Sequence, residues 1–363
     1  MHWGDAGELT PPRARFEVMA YGGYQGPPPR RGPSGLVIGL IVGGSVLIAA
    51  LGLITVIAVV GVARTDRPAP SRANPVTVGG GVSGQARELY GALIGKRMEC
   101  SVRYTVAGGG LAGCFSWADR GETQSEVVFQ YRTDGTVTGI NAKSTSTQAS
   151  RTTAAFKPYL AATAKVVFRG DKDKLNDLVG QDAEFDGLWG KYALSNGAAG
   201  TALSAAKADS TPLAAPQLAA ETAERTLAIL LKKQGFTCSA NDEDCTSPLR
   251  DGKGSRAVRM TDLGAAGITY LLISINDSGA GATKAANLAA YGELAETTYE
   301  LVEGPGIEGV RQWLQQHQDG TSHTAYVAGW RIELQATYGT AADVPTAIRS
   351  IMSTDAPWRT PDQ

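Results

Sequence analysis

The chain has 363 residues, with 34 Lys and Arg against 35 Asp and Glu and 3 His, a formal net charge of −1 at pH 7. Near-neutrality excludes the basic surface of a general nucleic-acid binder and the composition of an acidic disordered tail. With 43% hydrophobic and 19% charged residues, the chain holds enough apolar material for packed cores at a length of one to three domains.

Residues 1–34 contain Tyr21-Gly22-Gly23-Tyr24-Gln25-Gly26 and Pro27-Pro28-Pro29-Arg30-Arg31-Gly32-Pro33. Such a segment can neither propagate a helix nor bury a core, so a disordered tail is expected, with a proline-directed docking site or tyrosine modification as the functional alternative. From Leu36 to Ala63 the chain carries no charge at all. At about 1.5 Å per residue this stretch exceeds the roughly 30 Å hydrocarbon core, so 35–63 is expected to be a single transmembrane helix. A buried core helix would be shorter. A cleaved signal peptide has an apolar region of about 7 to 15 residues, although Gly61-Val62-Ala63 offers small residues for cleavage. Gly35, Gly39 and Gly43 fall on one helical face, continued by Ser45 and Ala49, and would let two backbones approach in a homodimer.

Orientation does not follow from charge, because Arg15, Arg30 and Arg31 on one side match Arg64, Arg67 and Arg72 on the other. Cysteine decides it. Cys100, Cys114, Cys238 and Cys245 all follow the span in short-range pairs, which fits an oxidising compartment, so the large C-terminal part is expected outside the cell membrane and the N-terminus in the cytoplasm. The expected disulfides are Cys100–Cys114 and Cys238–Cys245, the longer loop contributing about 3 kcal/mol. A zinc site at these cysteines is the alternative, against which stand the missing CxxC spacing and the scarcity of His. A Gly/Pro/Tyr-rich tail followed by one anchor resembles many envelope proteins of high-GC actinobacteria. The resemblance covers only the tail, the span and the positions just beyond it, as far as about Pro70. It implies a single-pass envelope protein, without naming a family for the rest.

After a juxtamembrane stretch at 64–84, the chain reads as a repeat. Ala86 to Ser101 and Glu224 to Ser239 align without a gap, with Leu89 on Leu227, Leu93 on Leu231, Met98 on Phe236 and Cys100 on Cys238. Each copy opens with an amphipathic helix ending in a cysteine. A hairpin comes next, Glu126 to Arg132 with Thr136 to Lys143 and Arg256 to Thr261 with Gly267 to Ile275, and Thr133-Asp134-Gly135 supplies a turn signal. Then come helices at Thr153 to Ala164 and Lys284 to Glu296, short apolar stretches (Val166-Val167-Phe168; Tyr299 to Val302), and helices at Lys172 to Val179 and Gly306 to Gln316. Trp-bearing strands close each copy, at Trp189 to Ser195 and Ala325 to Thr337. The fold class expected is α+β: two tandem, duplicated units at 85–196 and 217–355, each a small antiparallel sheet covered by helices. A Gly/Ala/Ser/Pro-rich linker at 197–216 separates them. A final helix is predicted from Val344 to Ser353, and a frayed tail at 356–363.

No catalytic constellation stands out. Gly79 to Gly84 and Gly108 to Gly113 satisfy GxGxxG, but one lies in the juxtamembrane stretch and the other inside the Cys100 to Cys114 loop, without the βαβ context the fingerprint needs. His2 sits in the tail, while His317 at a helix end and His323 in a loop read as surface residues. A hydrolase using His323 lacks a nucleophile elbow. Arg169-Gly170-Asp171 reads as a turn with Asp171 as N-cap, and Asn241-Asp242-Glu243-Asp244 as a solvated acidic loop without the calcium-loop spacing. Trp117, Trp189, Trp313 and Trp330 read as core, with a sugar or peptide groove as the alternative. Thirty basic and thirty-two acidic side chains come after the span, so nucleic acid is not an expected partner. We expect a non-enzymatic, anchored extracytoplasmic binding or interaction protein, with no cofactor or metal, whose partner is an envelope protein, a cell-wall component or a small ligand at the seam of the two units. The alternatives are an accessory or sensory subunit signalling through the Gly39/Gly43 face, and a hydrolase with an unrecognised site.

Overall fold

In the computed structural model, residues 81–354 are described, except 199, 209, 250–251, 253, 263–266, 278–281 and 339–343. The tail at 1–34, the span at 35–63 with Gly35, Gly39 and Gly43, and the end at 356–363 lie outside the described residues. Among those described, no helix is long and apolar enough to cross a membrane.

The first lobe runs α1 (Gly84–Ile94), β1 (Glu99–Val106), β2 (Gly109–Ala118), β3 (Thr123–Arg132), β4 (Val137–Ser146), α2 (Ala149–Val166), α3 (Lys172–Leu178), β5 (Ala183–Asp186), β6 (Lys191–Gly197) and β7 (Gly200–Ala206). The second runs α4 (Glu224–Lys233), β8 (Thr237–Cys238), β9 (Asp244–Pro248), β10 (Gly254–Thr261), β11 (Tyr270–Asp277), α5 (Lys284–Glu300), α6 (Ile307–Gln316), β12 (His323–Val327), β13 (Trp330–Tyr338) and β14 (Pro345–Ser353). Element for element the order is the same. Each lobe builds a seven-stranded antiparallel sheet, β1-β2-β3-β4-β7-β6-β5 in the first and β8-β9-β10-β11-β14-β13-β12 in the second, again in the same order. The molecule is therefore α+β, two tandem units of like topology.

The helices form because their apolar residues recur on one face. Ala86, Leu89 and Leu93 of α1 are buried, as are Leu227, Ala228 and Leu231 of α4. In α2 the buried positions Thr152, Phe156, Thr163 and Ala164 have the same spacing as the buried Asn287, Tyr291, Thr298 and Tyr299 of α5. Beneath these helices lie two separate cores, one holding Leu89, Phe129, Ile140 and Phe156, the other Leu227, Ile273, Tyr291 and Trp330. Both disulfides tie directly opposed residues of neighbouring strands: Cys100 with Cys114 across β1 and β2, Cys238 with Cys245 across β8 and β9.

Three sequence expectations are corrected. The segment 197–216 is not a linker throughout, since β7 occupies Gly200–Ala206 between β4 and β6, burying Thr201, Leu203 and Ala205. Its alternation is carried by small residues, which is why it reads as linker. The stretch beyond β7 is no free tether either, for the Gln130 amide donates to the Thr211 carbonyl at 3.0 Å and its carbonyl accepts from the Leu213 amide at 3.1 Å. The helix predicted from Val344 to Ser353 is β14, paired on both sides by β11 and β13. Ile348, Ser350 and Met352 are buried in alternation there, and a slot inside the sheet satisfies the backbone on both edges. The sheets are also larger than the small ones expected, because each meander returns to pair its last strand with the fourth.

Candidate functional site

In the first lobe, Val127, Phe129 and Tyr131 of β3 face the helices, while Glu126, Val128 and Gln130 point the other way and are buried as well. The second face is covered, in part, by the other lobe. Tyr104, Leu111, Phe115, Val128 and Tyr326 form a third apolar cluster, with the Phe115 and Tyr326 rings edge to face at 5.3 Å. A Cβ on Gly113 would stand 2.6 Å from the Tyr326 ring, so the second GxGxxG segment contains a close approach between lobes.

Polar contacts frame this cluster. Arg331 of β13 donates to Glu126 at 2.8 Å and to Glu333 at 2.5 Å, and Lys143 reaches Glu126 from the other side at 3.1 Å. Burial pushes the Glu126 carboxyl up, but the charges of Arg331 and Lys143 outweigh it and hold the group below the usual carboxylate range. Arg103 donates to the Gly329 carbonyl at 3.2 Å and to that of Thr354, and Trp117 donates to Thr324 at 3.0 Å.

At one end of the seam opens a cavity of about 650 Å³ between the β1–β3 corner of the first lobe and the His323 end of the second. Arg97, Arg120 and Lys284 bring positive charge to its wall, Glu99 and Asp119 negative charge, and Trp117 an aromatic face. Asp119 is engaged by Arg151 at 3.4 Å. Neither Arg97 nor Lys284 has an ion-pair partner among the described residues. The backbone is strained here. Arg97, Asp119 and Arg120 hold φ of 65°, 53° and 56°, three of the five described non-glycine residues in the left-handed region, and all three line this cavity.

On the same rim, Glu99, His317 and His323 gather, with one donor atom from each lying within 4.8 Å of the others. Glu99 opens β1, His317 comes just after α6 and His323 opens β12. The His317 ring stacks on Trp313 with centroids 4.2 Å apart, and its Nδ1 donates to the Trp313 carbonyl at 2.7 Å, since a carbonyl can only accept. That leaves Nε2 as the free nitrogen. His323 Nε2 lies 2.7 Å from the Thr321 hydroxyl and 3.3 Å from both Asp319 oxygens. Because that hydroxyl donates to Asp319 at 2.8 Å, Nε2 carries a hydrogen. Nδ1 then faces Glu99 at 3.2 and 3.4 Å, where a bare lone pair against a carboxylate would repel, so a proton or another cation belongs there. Burial lowers the basicity of His323, but hydrogen bonding and charge from Glu99, then Asp319, raise it overall. The hydrogen bond with His323 in turn holds Glu99 below its ordinary range.

His317 and His323, expected as surface residues, are both partly buried; the His323 side chain is 13% exposed and its ring centroid is 4.8 Å from that of His317. No serine is bonded to His323 among the described residues, whose nitrogens face two carboxylates and a threonine. Asp171 does precede α3 but does not cap it with its side chain. Its carboxylate accepts from the Leu188 and Trp189 amides at 2.9 Å each and from the Tyr192 hydroxyl at 2.8 Å. In the acidic loop, Asp242 pairs with Lys232 at 2.6 Å and Asp244 with Arg259 at 2.5 Å. Of the tryptophans, Trp330 is fully buried, Trp189 packs on Phe168, Trp313 carries His317, and Trp117 reaches the cavity. Glu99 carries no sequence signal as a site residue, since 224 residues separate it from His323. No protein-family model matches the chain, and no curated protein matches it either.

Proposed function

We propose that this chain is a membrane-anchored, extracytoplasmic binding protein of the cell envelope that holds a small polar anion in the cavity at the lobe seam. The observation that carries the reading is the pair of uncommitted cations, Arg97 and Lys284, on a cavity wall whose backbone strain is concentrated at Arg97, Asp119 and Arg120. Strain of this kind costs about 1–3 kcal/mol per residue and collects where side chains must be aimed. Lys284 is moreover the first residue of α5, whose amide ends favour negative charge. The uncharged stretch at 36–63 supports the anchor, and two disulfides support an oxidising compartment for the lobes. The repeated order of elements in the two lobes, with cystines at matching strand positions, supports descent from one duplicated unit.

The test uses the full chain in detergent, with melting followed as citrate, inorganic phosphate or, as a neutral contrast, N-acetylglucosamine is added. A saturable upward shift with an anion, lost in Lys284→Ala, is expected. A flat response to both anions overturns the cavity reading. A reporter fused after Gln363 that is active only in the cytoplasm overturns the topology.

A further inference from the structure

We propose that Glu99, His317 and His323 bind a zinc-class divalent cation across the lobe seam, with its remaining coordination position facing the cavity. Two imidazoles and one carboxylate with an open position are the donor set of zinc sites that exchange ligands. The geometry matches. Two donors each about 2.05 Å from a tetrahedral ion stand roughly 3.3 Å apart, and the Glu99 oxygens lie 3.2 and 3.4 Å from His323 Nδ1. The third donor, from His317, lies within 4.8 Å of the other two.

The outer nitrogens are held as a metal site requires. His317 Nδ1 donates to the Trp313 carbonyl, and His323 Nε2 is turned to Asp319 and Thr321, so Nε2 of the first ring and Nδ1 of the second are the nitrogens left for a cation. Imidazole ligands of metals commonly fix their far nitrogen on a carbonyl or carboxylate in this way. Stacking on Trp313 further orients His317. A cation at this place supplies the positive partner that His323 Nδ1 and Glu99 need between them. Glu99 and His323 also line the cavity, so an anion held by Arg97 and Lys284 has the open metal position within the same space. In this last respect the inference rests on the cavity reading, whereas the three ligands stand independently of it.

The experiment strips the full chain of metal with a chelator, then titrates Zn²⁺ against a chromophoric competitor, with Co²⁺ absorption as the signature of four-coordinate binding. One equivalent per chain is expected. His317→Gln and Glu99→Gln should each weaken binding by more than about tenfold, and Asp319→Asn, which acts through His323, by about tenfold. Circular dichroism confirms that each variant is folded; should Glu99→Gln loosen the seam, His317→Gln decides, because the His317 ring is hydrogen-bonded within its own lobe, to Trp313. Failure to take up one equivalent, or unchanged affinity in His317→Gln, overturns the metal site. Loss of the citrate or phosphate response in Lys284→Ala with zinc binding intact shows that the two readings stand or fall separately.

Discussion

Helices α1 and α4 end in the same turn, with a different residue at its left-handed position. In both, the chain leaves the helix through a left-handed residue, Arg97 at φ 65° in the first lobe and, at the aligned position of the second, Gly235 at φ 86°. The next amide closes the turn on equivalent carbonyls, Met98 on Leu93 at 3.2 Å and Phe236 on Leu231 at 3.1 Å. Glycine is the ordinary occupant of this position because it has no Cβ to clash. The fold therefore does not ask for arginine at 97. What distinguishes the first lobe is that this turn borders the seam cavity, so the two turns separate what the repeat needs from what the site needs.

The buried interior makes the same point in reverse. Where the first lobe packs Phe156 and Ala164 from α2, the second places Tyr291 and Tyr299 from α5, whose hydroxyls are buried beside that of Ser350. Equivalent positions thus hold hydrocarbon in one lobe and hydroxyls in the other, and the topology tolerates both.

The likeness of the two lobes is tested hardest at the buried charges that join them. Glu126→Ala leaves Arg331 buried with only Glu333, and is expected to cost about 3–4 kcal/mol in urea denaturation, against less for Glu126→Leu combined with Arg331→Met. An equal cost for the double change would show that the charges themselves join the lobes. Next come the cystines. Replacing Cys100 and Cys114 by serine should cost about 3 kcal/mol, and replacing Cys238 and Cys245 about 2.5 kcal/mol, because the second loop is shorter; a reversed order would mean that loop length does not govern here.

A local test concerns the first lobe alone. Burial pushes the Asp171 carboxyl up, yet the Leu188 and Trp189 amides and the Tyr192 hydroxyl hold it below its ordinary value. Its folded pKa is depressed, so the stabilisation is present above the unfolded value of about 3.9 and is lost as pH falls through the folded one. Asp171→Asn should lower stability at pH 7 by about 2 kcal/mol and flatten the acid limb of the stability profile; an unchanged limb contradicts the assignment. The smallest effect is the most pointed. Arg97→Gly should raise stability by about 0.5 kcal/mol while weakening the anion response, whereas Gly235→Arg should lower stability by about 1 kcal/mol and leave that response intact.

Much of the repeat is legible without coordinates. Leu89 and Leu93 against Leu227 and Leu231, the cysteine after each helix, and the hairpins near Thr133-Asp134-Gly135 announce themselves by spacing. The last strand of each lobe does not. Thr201, Leu203 and Ala205 alternate too weakly among small residues, and Ile348, Ile351 and Met352 suit a helical face as well as a strand, so only the vacancy between the neighbouring strands decides them. The candidate site is less legible still. Arg97 looks like any helix-end cation, and Glu99, His317 and His323 have no common spacing.

Local chemistry written along the chain thus determined the uncharged stretch, the two units and their cysteine pairs, because helix and strand periodicity and loop closure act between near neighbours. Tertiary structure alone decided where β7 and β14 insert, that Glu126 meets Arg331, and that a carboxylate from one lobe faces two imidazoles of the other. Those last contacts join positions far apart in the chain, as with Glu126 and Arg331 at a separation of 205, and no sequence period spans such a distance.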